Sequence, residues 1–193
     1  MSHATAVRHL ALLSLLPLGA ITTVMPAPAV ASPCVRSGST GSAAVPTVRT
    51  LHEAAASVLR EVNRERVARE LARLAPDPRL ALAAQRHARD MVRRGFFSHV
   101  TPDGRGMTAR VRSTGYLRTP AAWALGETLA WGTGACSTPA AVVAAWMESP
   151  AHRRVMLGRR YRELGVGVEV GIPFGPAPRS GATYAADLGS VGP

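Results

Sequence analysis

The sequence contains no lysine, few aromatic residues and only two cysteines. All 23 basic side chains are arginine, and aromatic residues make up 5% of the 193 positions. So few aromatic rings exclude a stacking platform of the kind that reads single-stranded nucleic acid. An arginine-only basic set with abundant Ala, Gly and Pro is typical of a GC-rich genome, so the net charge of +11 is a weak indication of an anionic partner.

Common catalytic motifs are missing as well. The sequence has no phosphate-binding glycine loop with lysine, no HExxH, no CxxC and no GxSxG. Their absence argues against P-loop nucleotidases, zincin-type metalloproteases, thioredoxin-like redox proteins and α/β-hydrolases. A hydrophobic content of 47% excludes disorder throughout, and the length suits a single domain.

The first 31 residues have the pattern of a secretory signal peptide. A short basic start at Arg8 leads into an apolar run over 10–18, and Ala29-Val30-Ala31 gives the small-x-small pattern of a cleavage site. The uninterrupted apolar run is much shorter than the roughly 20 residues of a spanning helix. We therefore expect export, with a mature chain that begins near Ser32 and no membrane span within it; a retained N-terminal anchor is the alternative.

Export also bears on Cys34 and Cys136. In an oxidising compartment two cysteines allow one intramolecular bridge, which would join the mature N-terminus to a loop about 100 residues further on. We predict that this Cys34–Cys136 disulfide is structural and has no redox role.

The rest of the chain is predicted to be a tail followed by one domain. Residues 32–47 lack periodicity and are rich in Ser, Gly, Pro and Ala, whereas 48–191 carry regular patterns. Apolar spacing and capping residues predict helices that begin near 51, 79, 107, 139 and 150, and strands over 126–131, 165–171 and 183–188. Helices come first and antiparallel strands later, which indicates an α+β fold with a small sheet between helical layers.

Three polar residues are the best candidates for a site. His99 lies where a helix ends and a turn begins, and His152 lies in the first turn of a helix, where the helix dipole favours a neutral ring. Glu127 lies in a predicted strand beside apolar residues, and a buried carboxylate needs a partner. His87, on the apolar face of the second helix, is interpreted as a hydrogen-bonded core histidine. Two imidazoles and a carboxylate are suitable ligands for zinc or a similar divalent cation.

Read in order, several motifs resemble the CAP superfamily, which contains cysteine-rich secretory, antigen 5 and pathogenesis-related proteins, and its bacterial SCP-like secreted branch. The similarity covers about 51–189. The matching pieces are Ala88-Arg89-Asp90-Met91, Phe96-Phe97-Ser98-His99, Thr101-Pro102-Asp103-Gly104, Gly126-Glu127-Thr128-Leu129-Ala130-Trp131-Gly132, Trp146-Met147-Glu148-Ser149-Pro150-Ala151-His152-Arg153, Glu163-Leu164-Gly165-Val166-Gly167 and Asp187-Leu188-Gly189.

The resemblance implies a three-layer α-β-α sandwich with a small central antiparallel sheet and a surface cleft. Many members hold two histidines and two acidic residues there, and some bind zinc or another divalent cation. Carried over by motif, these positions are His99, Glu127, His152 and, with the poorest match, Glu148. Four departures from the family pattern remove groups that could support the cleft or tight metal binding, at Thr128, Ala151, Val155 and Ala186.

Three functions stay open at this point. The first is a secreted, non-enzymatic binding domain, expected to be a monomer, whose cleft can take a divalent cation together with a small or lipidic ligand of the cell envelope. The second is a metal-dependent, peptidase-like hydrolase that uses Glu127 as general base. The third is an arginine-driven binder of anionic surfaces, although export makes a nucleic acid target unsuitable.

Overall fold

Five α-helices, four strands and one 3₁₀ turn form in the residues that the computed structural model describes, which are 46–47, 49–118, 122–174 and 181–192. In chain order the regular elements are α1 (Leu51–Val67), β1 (Ala75–Pro76), α2 (Pro78–Arg94), α3 (Met107–Ser113), β2 (Ala122–Thr133), the 3₁₀ turn (Gly134–Ser137), α4 (Pro139–Glu148), α5 (Pro150–Met156), β3 (Glu163–Val170) and β4 (Gly181–Gly192).

The strands form one sheet with the order β1-β3-β4-β2. The three long strands are antiparallel, and β4 lies between β3 and β2. The pairing places Glu127 of β2 directly opposite Asp187 of β4, and Asp187 opposite Gly165 of β3. Opposite residues share a face of the sheet, so these three positions form one row across it.

One face of the sheet is apolar. The alternating residues Leu164, Val166 and Val168 of β3 belong to the same buried cluster as Val58 of α1 and Trp146 of α4. The indole Nε1–H of Trp146 donates to the Leu129 carbonyl at 3.0 Å, so its one polar group is satisfied inside the core.

Helix α2 covers the other face at very short range. A Cβ atom at Gly165 would lie 2.0 Å from the Ala81 nitrogen, and one at Gly167 would lie 2.2 Å from the Gln85 nitrogen. The glycines therefore let the helix backbone lie directly on the strand. Gln85 also bonds to the backbone of β3, where its Oε1 accepts from Val168 N at 3.0 Å and its Nε2 donates to Val168 O at 2.9 Å.

Both ends of α2 follow from local sequence. Asp77 caps the N-terminus by accepting from the backbone N–H groups of Arg79 (2.8 Å) and Leu80 (3.1 Å), and Pro78 occupies the first turn. Gly95 ends the helix with φ of 68°, a left-handed conformation that glycine adopts without a Cβ penalty. The chain is thereby redirected into the loop that carries His99.

These elements confirm the predicted α+β sandwich and the predicted order of helices and strands. The two-residue strand β1 was not predicted; it pairs with β3 in parallel, next to the antiparallel strands. None of the described helices combines the length and the hydropathy that a membrane span requires.

The predicted signal peptide, nearly all of the predicted tail and Cys34 lie outside the described residues. Cys136 is placed in the 3₁₀ turn. The Cys34–Cys136 bridge and the domain bounds of 48–191 therefore stay predictions.

Candidate functional site

His99 is held by its ring and by its backbone. A carboxylate can only accept, so the ring Nδ1–H donates to Glu127 Oε1, at 2.7 Å. The His99 carbonyl accepts from Arg110 Nη1 at 2.8 Å, and the preceding carbonyl, of Ser98, accepts from His87 Nε2 at 2.9 Å. Helices α2 and α3 therefore both hold the loop that presents this imidazole.

Glu127 and Arg110 form a buried ion pair at the centre of the site. The two residues are 8% and 7% exposed, and Arg110 Nη2 donates a hydrogen bond to Glu127 Oε2. Burial alone would raise the pKa of Glu127, but the His99 hydrogen bond and the Arg110 charge lower it below its ordinary value. Glu127 is therefore a carboxylate with both oxygens occupied.

Asp187 is the second acid of the site, and its pKa is shifted in the direction opposite to that of Glu127. It is fully buried opposite Glu127, and burial together with the Glu127 charge raises its pKa well above the ordinary value. Within the described residues no donor reaches either of its oxygens. Burial and the neighbouring Glu127 charge therefore both favour the protonated form of Asp187.

His152 is half-buried in the first turn of α5. Burial lowers its pKa, and repulsion from a charge on His99 lowers it further. The two imidazoles are therefore electrostatically coupled, and His152 is neutral at neutral pH. Glu148 is exposed at the end of α4, and no hydrogen bond or ion pair joins its carboxylate to any described residue.

Cation binding by His99, His152 and Glu127 stays a prediction. Both oxygens of Glu127 are already bonded, and the adjacent guanidinium of Arg110 would repel a divalent cation. In the part of the chain that the structure describes, no group of three or more His, Cys, Asp or Glu side chains is placed to hold a metal ion.

Sequence reasoning missed Arg110 as a site residue and did not recognise the paired role of Asp187. The sequence contains only weak indications of these roles. Arg110 stands beside the apolar Val111 in a short helix, and Glu127 and Asp187 are the single carboxyl groups of two otherwise apolar strands. The interpretation of His87 as a buried, hydrogen-bonded histidine is confirmed.

The three-layer α+β fold and the histidine–carboxylate pair beside α2 together define a class of domain. Similarity to a family model and to solved structures shows which family has this fold. The family model of the cysteine-rich secretory protein (CAP) family matches residues 59–171. The chain belongs to this family. No curated protein matches it.

Solved structures from bacteria share the fold. An outer surface protein of Borrelia burgdorferi has a TM-score of 0.60 and 18% identity, over 72% of this chain and 94% of that one. An extracellular SCP-domain protein of Bacillus anthracis has a TM-score of 0.58 and 22% identity, over 74% of this chain and 43% of that one. A cysteine-rich secretory protein of Staphylococcus aureus has a TM-score of 0.50 and 19% identity, over 73% of this chain and 39% of that one. The match thus spans less than half of the Bacillus and Staphylococcus chains.

Proposed function

We propose that the protein is an exported, non-enzymatic binding domain that presents His99 and His152 to a ligand outside the cytoplasm or in the cell envelope. Membership of the CAP family, the signal-like N-terminus and fold neighbours described as outer surface and extracellular proteins support this location.

The observation that carries the proposal is the fixed imidazole of His99. Its side chain is 26% exposed, whereas that of its partner Glu127 is 3% exposed. The buried carboxylate fixes the tautomer with hydrogen on Nδ1, and Nε2 makes no hydrogen bond to a described residue. A ring held in one orientation, with a nitrogen that has no partner among the described residues, is suited to form a hydrogen bond with a bound molecule.

The same geometry disfavours the hydrolase alternative. A general base must reach the proton that it abstracts and have a pKa near the working pH. Glu127 is buried, both of its oxygens are bonded and its pKa is lowered. Its contacts suit the positioning of His99 better than proton abstraction.

Hydrolysis assays with peptide and ester substrates, with and without chelator, distinguish the two functions. We expect no turnover by the exported protein above the level of Glu127→Gln. Chelator-sensitive turnover that Glu127→Gln abolishes would establish the hydrolase and refute the proposal.

Binding itself is followed by the imidazole NMR signals of His99 and His152. The probes are Zn²⁺ alone and micelles of a phospholipid with a neutral headgroup. We expect both rings to respond together and saturably to the lipid probe, and His99→Ala to abolish the His152 response. Stoichiometric Zn²⁺ uptake that is lost in both His99→Ala and His152→Ala would instead assign the cleft to a metal ion.

A further inference from the structure

A cavity bounded by arginine side chains lies where the end of α1 meets the turn between α5 and β3. It has a volume of about 370 Å³, and its lining residues are Arg66 of α1, Leu71 and Ala72 from the segment after α1, and Arg159 and Arg162 from the turn. Every charged residue in this lining is therefore an arginine. None of the site residues described above lines it, so the cavity is separate from the cleft.

Arg66 forms the buried part of this cavity. Its side chain is held by three backbone carbonyls, since Nε donates to Ala72 O at 2.9 Å and Nη1 donates to Met156 O at 2.7 Å and Gly158 O at 3.2 Å. The residue is only 1% exposed, so its guanidinium group is fixed in one orientation. Neutral carbonyls satisfy these two nitrogens, but they leave the charge of the guanidinium without a counterion.

The third nitrogen of Arg66, Nη2, is available to the cavity. It makes no hydrogen bond within the part of the chain that the structure describes, yet it is not one of the unpaired polar atoms that are fully enclosed by protein. Because Arg66 is almost fully buried and lines the cavity, Nη2 is the polar atom through which a ligand in the cavity can reach it. Buried donors in folded proteins nearly always have an acceptor, so this unpaired donor points to a ligand.

No acid balances the charges around the cavity. Among the described residues, Arg66, Arg159 and Arg162 form no ion pair with a carboxylate. Burial lowers the pKa of Arg66, and the positive charge of Arg162 lowers it further. Repulsion between these two guanidinium groups raises the free energy of the folded state, and a bound anion would reduce it.

The placement of the donors favours a phosphate group over a carboxylate. Guanidinium groups bind both kinds of anion through paired N–H donors. Here the donors come from two parts of the chain, with Arg66 near the end of α1 and Arg159 and Arg162 in the turn before β3. A carboxylate presents its oxygens in one plane, whereas a phosphate group presents more acceptor oxygens, in tetrahedral directions, and carries up to about two negative charges at neutral pH. A phosphate can therefore bond to donors that lie on different sides of it.

We propose that this cavity binds a phosphate group, with Arg66 Nη2 as the buried donor and Arg159 and Arg162 as further donors from the turn. At about 30 Å³ per water the volume corresponds to roughly twelve waters, so the phosphate can carry a further group. Free phosphate and the phosphate headgroup of a lipid share this chemistry, and the experiment below distinguishes them. The proposal does not depend on the function proposed for the cleft.

The test is a titration of the exported protein in phosphate-free buffer at fixed ionic strength. Inorganic phosphate and acetate are compared by calorimetry, and phosphatidylcholine vesicles with and without phosphatidic acid are compared by co-sedimentation. We expect saturable one-to-one binding of inorganic phosphate and at least about tenfold weaker binding of acetate. Binding to the phosphatidic acid vesicles alone would assign the cavity to a lipid headgroup. Binding to neither phosphate source, or equal affinity for acetate and phosphate, would overturn the proposal.

Variants locate the binding. Arg162→Gln removes one proposed donor and should weaken binding by about tenfold, as expected for a lost hydrogen bond between charged groups. Arg154→Gln is the matched control, because it removes the same charge from an exposed position on α5 that does not line the cavity. Equal losses in the two variants would show non-specific attraction and refute the assignment. Arg66→Met should abolish binding; if this variant fails to fold, the comparison of Arg162→Gln with Arg154→Gln still decides.

Discussion

The two faces of the sheet differ in their side chains and in the helices that cover them. The face under α1 and α4 is a conventional apolar core with large side chains such as Trp146. The face under α2 has glycine at positions 165 and 167 and carries the acids Glu127 and Asp187. The first face contributes mainly to the stability of the fold. On the second face the closely packed helix α2 shields the charged groups from solvent, and such buried groups need bonding partners.

The largest effect is expected on the apolar face. Trp146→Ala should cost about 4 kcal/mol, because it leaves a large cavity and an unpaired Leu129 carbonyl. Urea denaturation of the variant and the parent measures this loss. Trp123, which is 47% exposed, is the control; a Trp123→Ala loss as large as that of Trp146→Ala would contradict the assignment of the core.

On the α2 face the sensitive atoms belong to the backbone. Gly167→Ala should destabilise by about 3 kcal/mol, because the new Cβ would force α2 off the strand. Gly106→Ala is the matched control, since a Cβ there meets no atom within 4 Å. Equal midpoints of the two variants in thermal unfolding would show that the close contact is unimportant.

The buried ion pair comes next. Arg110→Met should cost about 3 kcal/mol at neutral pH, because Glu127 is left as an unpaired buried charge. Adding Glu127→Gln should recover part of the loss, and a double-mutant cycle measures the coupling. Additive losses would mean that the pair contributes only its separate packing.

The smallest effect is expected from Asp187→Asn, and it should change with pH. Because the folded pKa of Asp187 is raised, its favourable contribution is complete below the unfolded pKa and is lost as the pH rises through the folded value. The neutral amide removes this dependence. The variant should therefore be more stable than the parent at pH 8 and about equal near pH 3, as measured by urea denaturation. Lower stability of the variant at pH 8 would show that Asp187 functions as a carboxylate.

Periodicity was sufficient to predict most of the fold. Capping by Thr138 and the alternation of valine and glycine in β3 act locally, so the sequence alone reveals them. The strand β1 could not be predicted, because two residues that include a proline carry no periodic signal.

The site could be predicted only in part, for a different reason. Motif order indicated His99 and Glu127, which are 28 residues apart and in contact. The role of Arg110 depends on how α3 packs against β2, and the raised pKa of Asp187 depends on the register of β2 and β4. Neither relation is encoded in a local pattern.

The two hydrogen bonds between the Gln85 amide and the Val168 backbone have a further consequence. Beyond Leu164, β3 has no neighbouring strand on its outer side among the described residues, because β1 is only two residues long. An unpaired strand edge invites pairing with another molecule and hence aggregation. One glutamine amide occupies both hydrogen-bonding groups of Val168 in the way an adjacent strand would, so a side chain shields this border of the sheet from self-association.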